Sequence, residues 1–317
     1  MRMVHEPIED RIVKRGVADQ VVPVVDRHLA GDPGGSSSGA ILHDPEEIAS
    51  LAVTQGRESR HSCTHILKFQ SAQYEFLVEN EWATMEIARR CGLPVAPVRL
   101  IDFGLDSPLH GRSLLVERYD IPAAAALRDG GPELELLLQE DACSLLLLPR
   151  AEKYRTSVER VADAFRDLGL PADANENGLW TLLRHVAFSW IVANGDLHAK
   201  NFSAIRVIHS GQLGAPPTLA RIEYSPLYDL LNTTLALPDD TFAIPINGKQ
   251  NNIHVRDIAQ LVERWHGDKR LAEHAVLEIA AAVRRHLDDV LGTAHLPYEM
   301  TERYRQVVGA RLSAMGV

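Results

Sequence analysis

An apolar helix that leads directly into a polar loop is the most restrictive feature of this sequence. Residues 188–193 are mostly apolar, and residues 194–201 then read Asn-Gly-Asp-Leu-His-Ala-Lys-Asn. Asp196 stands five positions before Asn201, and a further acid, Asp229, follows within Tyr-Asp-Leu. This spacing is typical of loops in which the aspartate accepts a proton from an attacking hydroxyl and the asparagine holds Mg²⁺ on a phosphate. The three residues therefore predict phosphoryl transfer.

Composition favours an ordinary soluble globular protein. The chain has 317 residues, of which 45% are hydrophobic and 24% charged. Its net charge of −10 argues against broad nucleic-acid binding, which needs clustered lysine and arginine. Three widely spaced cysteines form neither a disulfide framework nor a zinc-binding pattern. Because no apolar run approaches the roughly 20 residues of a membrane helix and no signal core is visible, we predict a cytoplasmic protein without membrane contact.

The pattern of apolar residues predicts an α+β, two-lobed protein-kinase-like fold. Residues 1–121 are expected to form a small mixed α/β N-lobe, and residues 122–317 a large, mainly helical C-lobe. In the N-lobe we predict strands over 64–69, 95–103 and 113–117, a helix over 6–30 that is interrupted at Pro23, and a helix over 75–91 that stops at Gly92. In the C-lobe we predict helices over 134–148, 158–168, 179–192, 257–265, 270–291 and 298–315.

A glycine- and serine-rich stretch occupies residues 31–40. It is either a flexible linker or a loop between two strands that covers a phosphate. In the second interpretation its backbone N–H groups would bind the phosphate, because no lysine follows. The candidate ATP-binding residues of this loop are Gly34, Gly35, Ser36, Ser37, Ser38 and Gly39.

Lys68 is the candidate cation for the phosphates. It lies on a predicted strand between apolar neighbours, so it could point into a cleft between the lobes; a surface lysine on an edge strand is the alternative. On the following helix, Glu79 or Glu81 could form an ion pair that holds Lys68, and Glu81 is preferred. The apolar stripe of that helix predicts that Glu75, Glu79 and Glu86 are more exposed.

Residues 117–120 lie where a hinge between lobes would offer backbone groups to adenine. Glu117, Arg118 and Tyr119 are therefore candidate ATP-binding residues by position alone, although Arg118 and Asp120 could equally form a surface ion pair. The sequence Asp-Phe-Gly at 102–104 comes before the loop of Asp196 and not after it, so Asp102 is predicted to be a turn residue at a strand end.

Asp229 lies in an apolar setting, where an unpaired carboxylate would be costly and a bound metal would compensate. The spacing of Asp196 and Asn201 also occurs by chance, and Asn-Gly-Asp is a good turn. His198 and Lys200 inside the loop, with the apolar helix before it and a predicted strand after it, favour the catalytic interpretation.

With these residues in place, residues 34 to 255 resemble the HipA-type toxin serine/threonine kinases. The resemblance is strongest in NGDLHAKNFSAI at 194–205 and SPLYDLLN at 225–232. It extends to CTHILKF at 63–69, ENEWATMEIARRCGLPVAP at 79–97, LLVERYD at 114–120 and LLLQEDACSLL at 136–146. Gln-Glu-Asp at 139–141 followed by Lys153-Tyr154 is a feature of this family that other kinases lack.

The resemblance implies an ATP- and Mg²⁺-dependent serine/threonine protein kinase. Asp196 would be the catalytic base, and Asn201 and Asp229 the Mg²⁺ ligands. Lys68 would bind the ATP phosphates with support from Glu81. Residues 117–119 would bind adenine, and His198 is grouped with the ATP-binding residues.

The resemblance also implies regulation and partners. Family members autophosphorylate a serine of the glycine-rich loop, which ejects the loop and inactivates the kinase; the candidates here are Ser37, Ser36 and Ser38, in that order. Known targets are aminoacyl-tRNA synthetases, and members pair with a DNA-binding antitoxin, through which any DNA contact would come. Only about 30 residues precede the loop, so the chain resembles short, HipT-type kinases, whose N-terminal subdomain is a separate protein.

Two other functions stay open at this point. Small-molecule kinases of the aminoglycoside or choline type have a similar loop, but their second metal acid usually follows closely, whereas Asp229 comes 28 positions after Asn201 (201 to 229). A catalytically inactive kinase-like binding module is the other possibility. The complete set of Lys68, Asp196, Asn201 and Asp229 argues against it.

Overall fold

A computed structural model describes residues 22–23, 50–54, 63–71, 73–104, 111–120, 135–209 and 216–317. The chain divides into two compact units. Unit 1 takes its residues from Met1–Glu79 and Pro97–Arg118, and unit 2 from Asn80–Ala96 and Tyr119–Val317. The lobe boundary predicted near residue 121 stays a prediction. The glycine- and serine-rich loop at 31–40 lies outside the described residues.

Unit 1 contains an antiparallel sheet whose described strands run in the order β1-β2-β3-β5-β4. One of its faces buries Leu67, Ile101 and Leu115, with Phe69 and Phe103 packed against them. Because side chains alternate along a strand, Lys68 lies on the face opposite to Leu67. The strands are β1 (Val22–Pro23), β2 (Ser50–Thr54), β3 (Cys63–Lys68), β4 (Val98–Asp102) and β5 (Arg112–Glu117).

The predicted strands of this unit are confirmed, with ends that differ by at most three residues. The helix predicted over 6–30 is wrong at Val22–Pro23, which pair with Leu51 and Ala52 of β2. Proline lacks the N–H that a helix interior requires, so a short strand tolerates Pro23 better than a helix does.

Helix α1 (Leu77–Arg90) ends where the sequence predicts. Gly92 adopts a left-handed conformation with φ of +78°, and the N–H of Leu93 donates to the carbonyl of Ala88 at 3.1 Å. These are the hydrogen bond and the glycine of a common helix C-terminus, in which the left-handed residue satisfies the last carbonyl groups. The division between the two units falls inside α1, between Glu79 and Asn80.

Unit 2 is built around one buried helix, α4, which is buried at every position except Arg184. A helix that is apolar on all sides must be packed on all sides, and α3, α5, α6 and α7 all contact α4. The described helices of this unit are α2 (Ala142–Leu145), α3 (Val158–Leu168), α4 (Leu179–Ile191), α5 (Val255–Ala259), α6 (Lys269–Leu291) and α7 (Tyr298–Ala314). The segment predicted as one helix over 257–265 begins as α5 and continues as a 3-10 helix, Gln260–Trp265.

The prediction of a helix over 134–148 is wrong. Strand β6 (Glu135–Asp141) occupies most of it and pairs with β7 (Ser203–His209), which in turn pairs with β8 (Thr218–Tyr224), all antiparallel. A short leucine run fits a helix or a strand equally well, and here the pairing with β7 decides the outcome. Among the described residues, no helix is long and apolar enough to cross a membrane.

His185 lies inside α4 and makes the stability of unit 2 depend on pH. Its Nδ1 atom is 2.8 Å from the Tyr224 hydroxyl, and burial lowers the pKa of His185 to about 3 from an ordinary value of 6.5. The unfolded chain therefore binds a proton near pH 6.5, whereas the folded chain does not. The stability that depends on neutral His185 is fully present above pH 6.5 and falls as the pH drops from there toward 3.

We expect a change from pH 7.5 to 5.5 to cost the wild-type protein about 1.4 kcal/mol more free energy of unfolding than it costs a His185→Gln variant. The reason is that glutamine takes up no proton in either state. Urea unfolding of both proteins at the two pH values measures the difference. Equal losses in the two proteins would show that His185 is not the source of the pH dependence.

Candidate active site

The end of α4 sets the direction of the loop at residues 194–201. Ala193 adopts a left-handed conformation with φ of +61°, and the N–H of Asn194 donates to the carbonyl of Ser189 at 2.9 Å. This conformation is uncommon for a residue with a Cβ atom and is frequent at functional sites. The loop therefore leaves a rigid, buried helix through a sharp turn.

Thr233 joins this loop to the segment that follows Asp229. Its hydroxyl accepts the N–H of Gly195 at 2.9 Å, and its own N–H donates to the carbonyl of Ala193 at 3.0 Å. A Cβ atom on residue 195 would lie 1.9 Å from Oδ2 of Asp240 and 2.6 Å from the Thr233 hydroxyl. Only glycine fits this close approach.

Asp196 is partly buried and held at both its backbone and its side chain. Its N–H donates to Oδ1 of Asn194 at 3.2 Å, and its Oδ1 accepts the hydroxyl of Tyr154 at 2.6 Å. Nε2 of His198 lies 3.9 Å from the same oxygen, which is too long for a hydrogen bond. The carboxylate is thus oriented by a phenol hydroxyl.

Asn201 closes a short 3-10 helix, Ala199–Asn201, and is 4% exposed. The N–H of Ala199 donates to the carbonyl of Lys153 at 3.1 Å, which connects this turn to the segment of Tyr154. Asn201 is therefore held between Asp196 and the start of β7.

Tyr228 connects the segments of Asn201 and Asp229. Its hydroxyl donates to the carbonyl of Lys200 at 2.7 Å and lies 2.6 Å from the Ser203 hydroxyl. Burial, the neighbouring Tyr119 and the Asp229 carboxylate raise the pKa of Tyr228 well above its ordinary value, so the hydroxyl stays protonated as a donor. Lys200 and Tyr228, which precede Asn201 and Asp229 in sequence, are therefore in direct contact.

Asp229 has a left-handed backbone conformation, with φ of +53°. The chain before it is fixed by Leu227, whose N–H donates to the carbonyl of Pro94 at 2.7 Å. The chain after it is fixed by Asn232, whose N–H donates to the buried side chain of Asn80 at 3.0 Å. An unusual backbone conformation that is held on both sides is typical of a functional position.

The donor atoms of Asn201 and Asp229 fit Mg²⁺. Both residues offer hard oxygen atoms, which this ion prefers, and proteins usually hold Mg²⁺ through one or two carboxylates together with substrate phosphates. Within the described residues there is no cluster of three or more His, Cys, Asp or Glu side chains that could hold a metal alone.

Lys68, Glu117 and Arg118 belong to unit 1. Lys68 is half-buried on β3. The N–H of Glu117 donates to Pro97 at 2.8 Å, and that of Arg118 donates to Thr64 at 2.9 Å. Both N–H groups are used inside unit 1, so these residues could offer adenine only their carbonyl groups or side chains. Their roles stay predictions.

Tyr119 and Glu81 belong to unit 2. The Tyr119 ring lies 6.0 Å from the ring of Tyr228, the residue before Asp229. Glu81 is buried, and its predicted ion pair with Lys68 stays a prediction.

The prediction that Glu79 is exposed is wrong, because the side chain is only 2% accessible. Glu79 accepts a hydrogen bond from Gln70 and lies 3.5 Å from Arg112, so its burial follows from two polar partners in unit 1. Asp102 ends β4 and accepts the N–H of Gly104 at 2.9 Å. Its predicted role as a turn residue is confirmed.

Sequence reasoning missed the side chains that hold the loops. Tyr154 stood out as part of a family feature, but the sequence assigned it no contact with Asp196. Thr233 gave no signal, because a threonine after an apolar stretch has no distinctive pattern. Gln139 donates to the Ser203 hydroxyl at 3.1 Å and so connects β6 to Tyr228.

The chain belongs to the family described as HipA-like C-terminal domain, whose sequence profile matches residues 37–291. The predicted resemblance to HipA-type proteins is confirmed at the level of the family.

Two curated relatives match over part of this chain. One is a Sinorhizobium fredii protein named "Putative kinase Y4mE", 34% identical over 183 residues, which cover 57% of this chain and 38% of that protein. Another is the serine/threonine-protein kinase toxin HipA of Shewanella oneidensis, 28% identical over 196 residues, which cover 56% of this chain and 39% of that protein. The match thus spans well under half the length of each relative.

The fold is similar to that of a solved Shewanella oneidensis structure, the toxin–antitoxin system of HipA, HipB and its operator DNA. The superposition has a TM-score of 0.63 at 21% identity and covers 99% of this chain and 73% of that one. The predicted fold class is confirmed by this similarity.

We expect Gly195→Ala to lower the stability of unit 2 by on the order of 1–3 kcal/mol, because the added methyl group must displace Asp240 or Thr233. Urea unfolding measures the change. Gly309→Ala in α7 is the matched control: nothing lies within 4 Å of its new Cβ atom, so helix propensity should make it neutral or stabilising by up to about 1 kcal/mol. Equal stability of the two variants would contradict the close approach at residue 195.

Proposed function

We propose that this protein is an ATP- and Mg²⁺-dependent serine/threonine protein kinase that acts as the toxin of a toxin–antitoxin system. The observation behind the proposal is the joining of the Asp196, Asn201 and Asp229 segments through Thr233 and Tyr228. Family membership supports it, because relatives in this family are named as kinases.

In this proposal Asp196 accepts the proton of a serine or threonine hydroxyl on the substrate as that oxygen attacks the γ-phosphate. Asn201 and Asp229 hold Mg²⁺ through their side-chain oxygens. When bound, the ion would offset charge on the phosphates. The buried helix behind the loop keeps Asp196 oriented before the substrate arrives, which lowers the entropic cost of reaching the reactive geometry.

The remaining ATP contacts are proposed from the sequence. Lys68, supported by Glu81, binds the phosphates, and backbone N–H groups of the loop at 34–39 cover them. Residues 117–119 bind adenine, and His198 lies beside the nucleotide. Lys68 suits its role because it projects from the face of the sheet opposite the packed apolar cluster.

The proposed partners follow from the relatives. HipA of Shewanella oneidensis is named a toxin and has been solved with HipB and operator DNA. We propose that the present chain likewise binds an antitoxin, with DNA contacted only through it. The proposed substrate is an aminoacyl-tRNA synthetase in the cytoplasm.

We expect Asp196→Asn to reduce phosphate transfer from γ-labelled ATP to proteins of a cell lysate by about 10²- to 10⁴-fold, the range over which general bases contribute. The amide keeps the shape of the carboxylate but cannot take the proton. Identifying the labelled band would name the substrate. Asp239→Asn, at an exposed position, is the matched control and should transfer phosphate at the wild-type rate. Full activity of Asp196→Asn would remove the proposed base.

We further expect autophosphorylation within Ser36, Ser37 and Ser38 when the protein is incubated with ATP and Mg²⁺. Mass spectrometry of the peptide that contains these residues measures it, and replacing all three serines by alanine should abolish the signal. Phosphate found only at other positions would contradict the proposed regulation by this loop.

A further inference from the structure

We infer that Tyr154 is a positioning residue for Asp196: its hydroxyl holds Oδ1 and so fixes the orientation of the carboxylate that receives the substrate proton. The inference rests on the proposed kinase function and deepens it. It assigns a role to one half of the Lys153-Tyr154 pair, which the sequence marks without explaining.

The hydrogen bond itself is the main observation. The Tyr154 hydroxyl lies 2.6 Å from Oδ1 of Asp196, within the short range expected when a hydroxyl donates to an ionised carboxylate. Such a bond stops rotation of the carboxylate and commits one of its oxygens. A general base gains from a fixed orientation, because proton transfer requires the accepting lone pair to point at the hydroxyl.

The contacts around Tyr154 hold its ring in place. The ring meets the edge of the His198 ring at a centroid distance of 5.1 Å and an interplanar angle of 78°. Nζ of Lys153 lies 5.2 Å from the centre of the Tyr154 ring, and Lys153 is buried. The Lys153 carbonyl accepts the N–H of Ala199 from the catalytic loop. Tyr154 is therefore tied to the same loop that it orients.

His198 does not replace Tyr154 in this role. Its Nε2 atom lies 3.9 Å from Oδ1 of Asp196, beyond hydrogen-bond distance. The Asn194 side chain holds the N–H of Asp196 and leaves the carboxylate to other partners. The Tyr154 hydroxyl, in contrast, lies within hydrogen-bond distance of Oδ1.

Tyr154→Phe removes the hydroxyl and keeps the ring contacts with His198 and Lys153. We expect kcat for protein phosphorylation to fall about 10- to 100-fold, as for loss of a hydrogen bond to a charged group. KM for ATP should stay at the wild-type value, because Tyr154 acts on the base and not on the nucleotide. In an Asp196→Asn background, Tyr154→Phe should cause no further loss, since its effect passes through the carboxylate.

Tyr304→Phe is the matched control. Tyr304 is fully buried and its hydroxyl lies 2.9 Å from that of Thr84, between α1 and α7. This substitution should lower the unfolding midpoint without changing kcat. A Tyr154→Phe protein that behaves like Tyr304→Phe, with kcat unchanged, would overturn the inference while leaving the kinase function intact.

Fluorinated tyrosines at position 154 provide a second test that keeps the side chain almost unchanged. A more acidic phenol still holds Oδ1 but donates a stronger hydrogen bond, which lowers the proton affinity of Asp196, so kcat should fall along the series from tyrosine to mono- and difluorotyrosine. Tyr154→Phe lowers kcat for a different reason, the loss of the carboxylate's orientation. A kcat that does not vary along the series would overturn the inference even if Tyr154→Phe failed to fold. An inactive wild-type protein would instead remove the proposed function, and the role of Tyr154 with it.

Discussion

Thr233 links the loop of Asp196 to the segment that follows Asp229, and the arrangement of the candidate site depends on this link. Its hydroxyl holds the N–H of Gly195, and its N–H holds the carbonyl of Ala193. Thr233 therefore connects the chain just before Asp196 to the chain just after Asp229. The first loop follows α4, which is buried at every position except Arg184. This link therefore connects the residues that would act on a phosphate to the packed core.

Tyr228 provides a second link between the same two segments. The chain from Gln139 through Ser203 and Tyr228 to the Lys200 carbonyl is a continuous series of hydrogen bonds. It adds to the β6–β7 pairing, which brings β6 next to the loop although Gln139 and Ser203 are 64 positions apart. Ala193 and Asp229 both have left-handed backbone conformations, and each lies beside a residue or group that these links hold.

Much of this arrangement could be predicted from the sequence. The 3.6-residue periodicity of α3 and α6 is strong, and Gly92 followed by Pro94 marks the end of α1. The spacing of Asp196 and Asn201 predicts a catalytic loop, because it is typical of loops that place a base and a Mg²⁺ ligand around a phosphate. The apolar residues around Asp229 similarly predict that its carboxylate has a compensating partner, such as a bound metal ion.

The remainder depends on contacts between distant parts of the chain. The leucine run at 136–138 forms a strand because β7 lies beside it, and no local property of the run reveals that partner. The apolar stripe of the helix alone predicts that Glu79 is exposed. It is buried instead because Gln70 donates a hydrogen bond to it and Arg112 forms an ion pair with it. Tyr154 and Thr233 form hydrogen bonds to residues 42 and 38 positions away, and one sequence cannot show such contacts.

The central claim is that Asn201 and Asp229 form the metal end of an ATP site on the loop of Asp196. A crystal structure of the protein with Mg²⁺ and a non-hydrolysable ATP analogue tests it most directly. We expect Mg²⁺ bound to the side-chain oxygens of Asn201 and Asp229 and to the nucleotide phosphates, with Asp196 facing the γ-phosphate. A nucleotide and metal bound without contact to either Asn201 or Asp229 would contradict it.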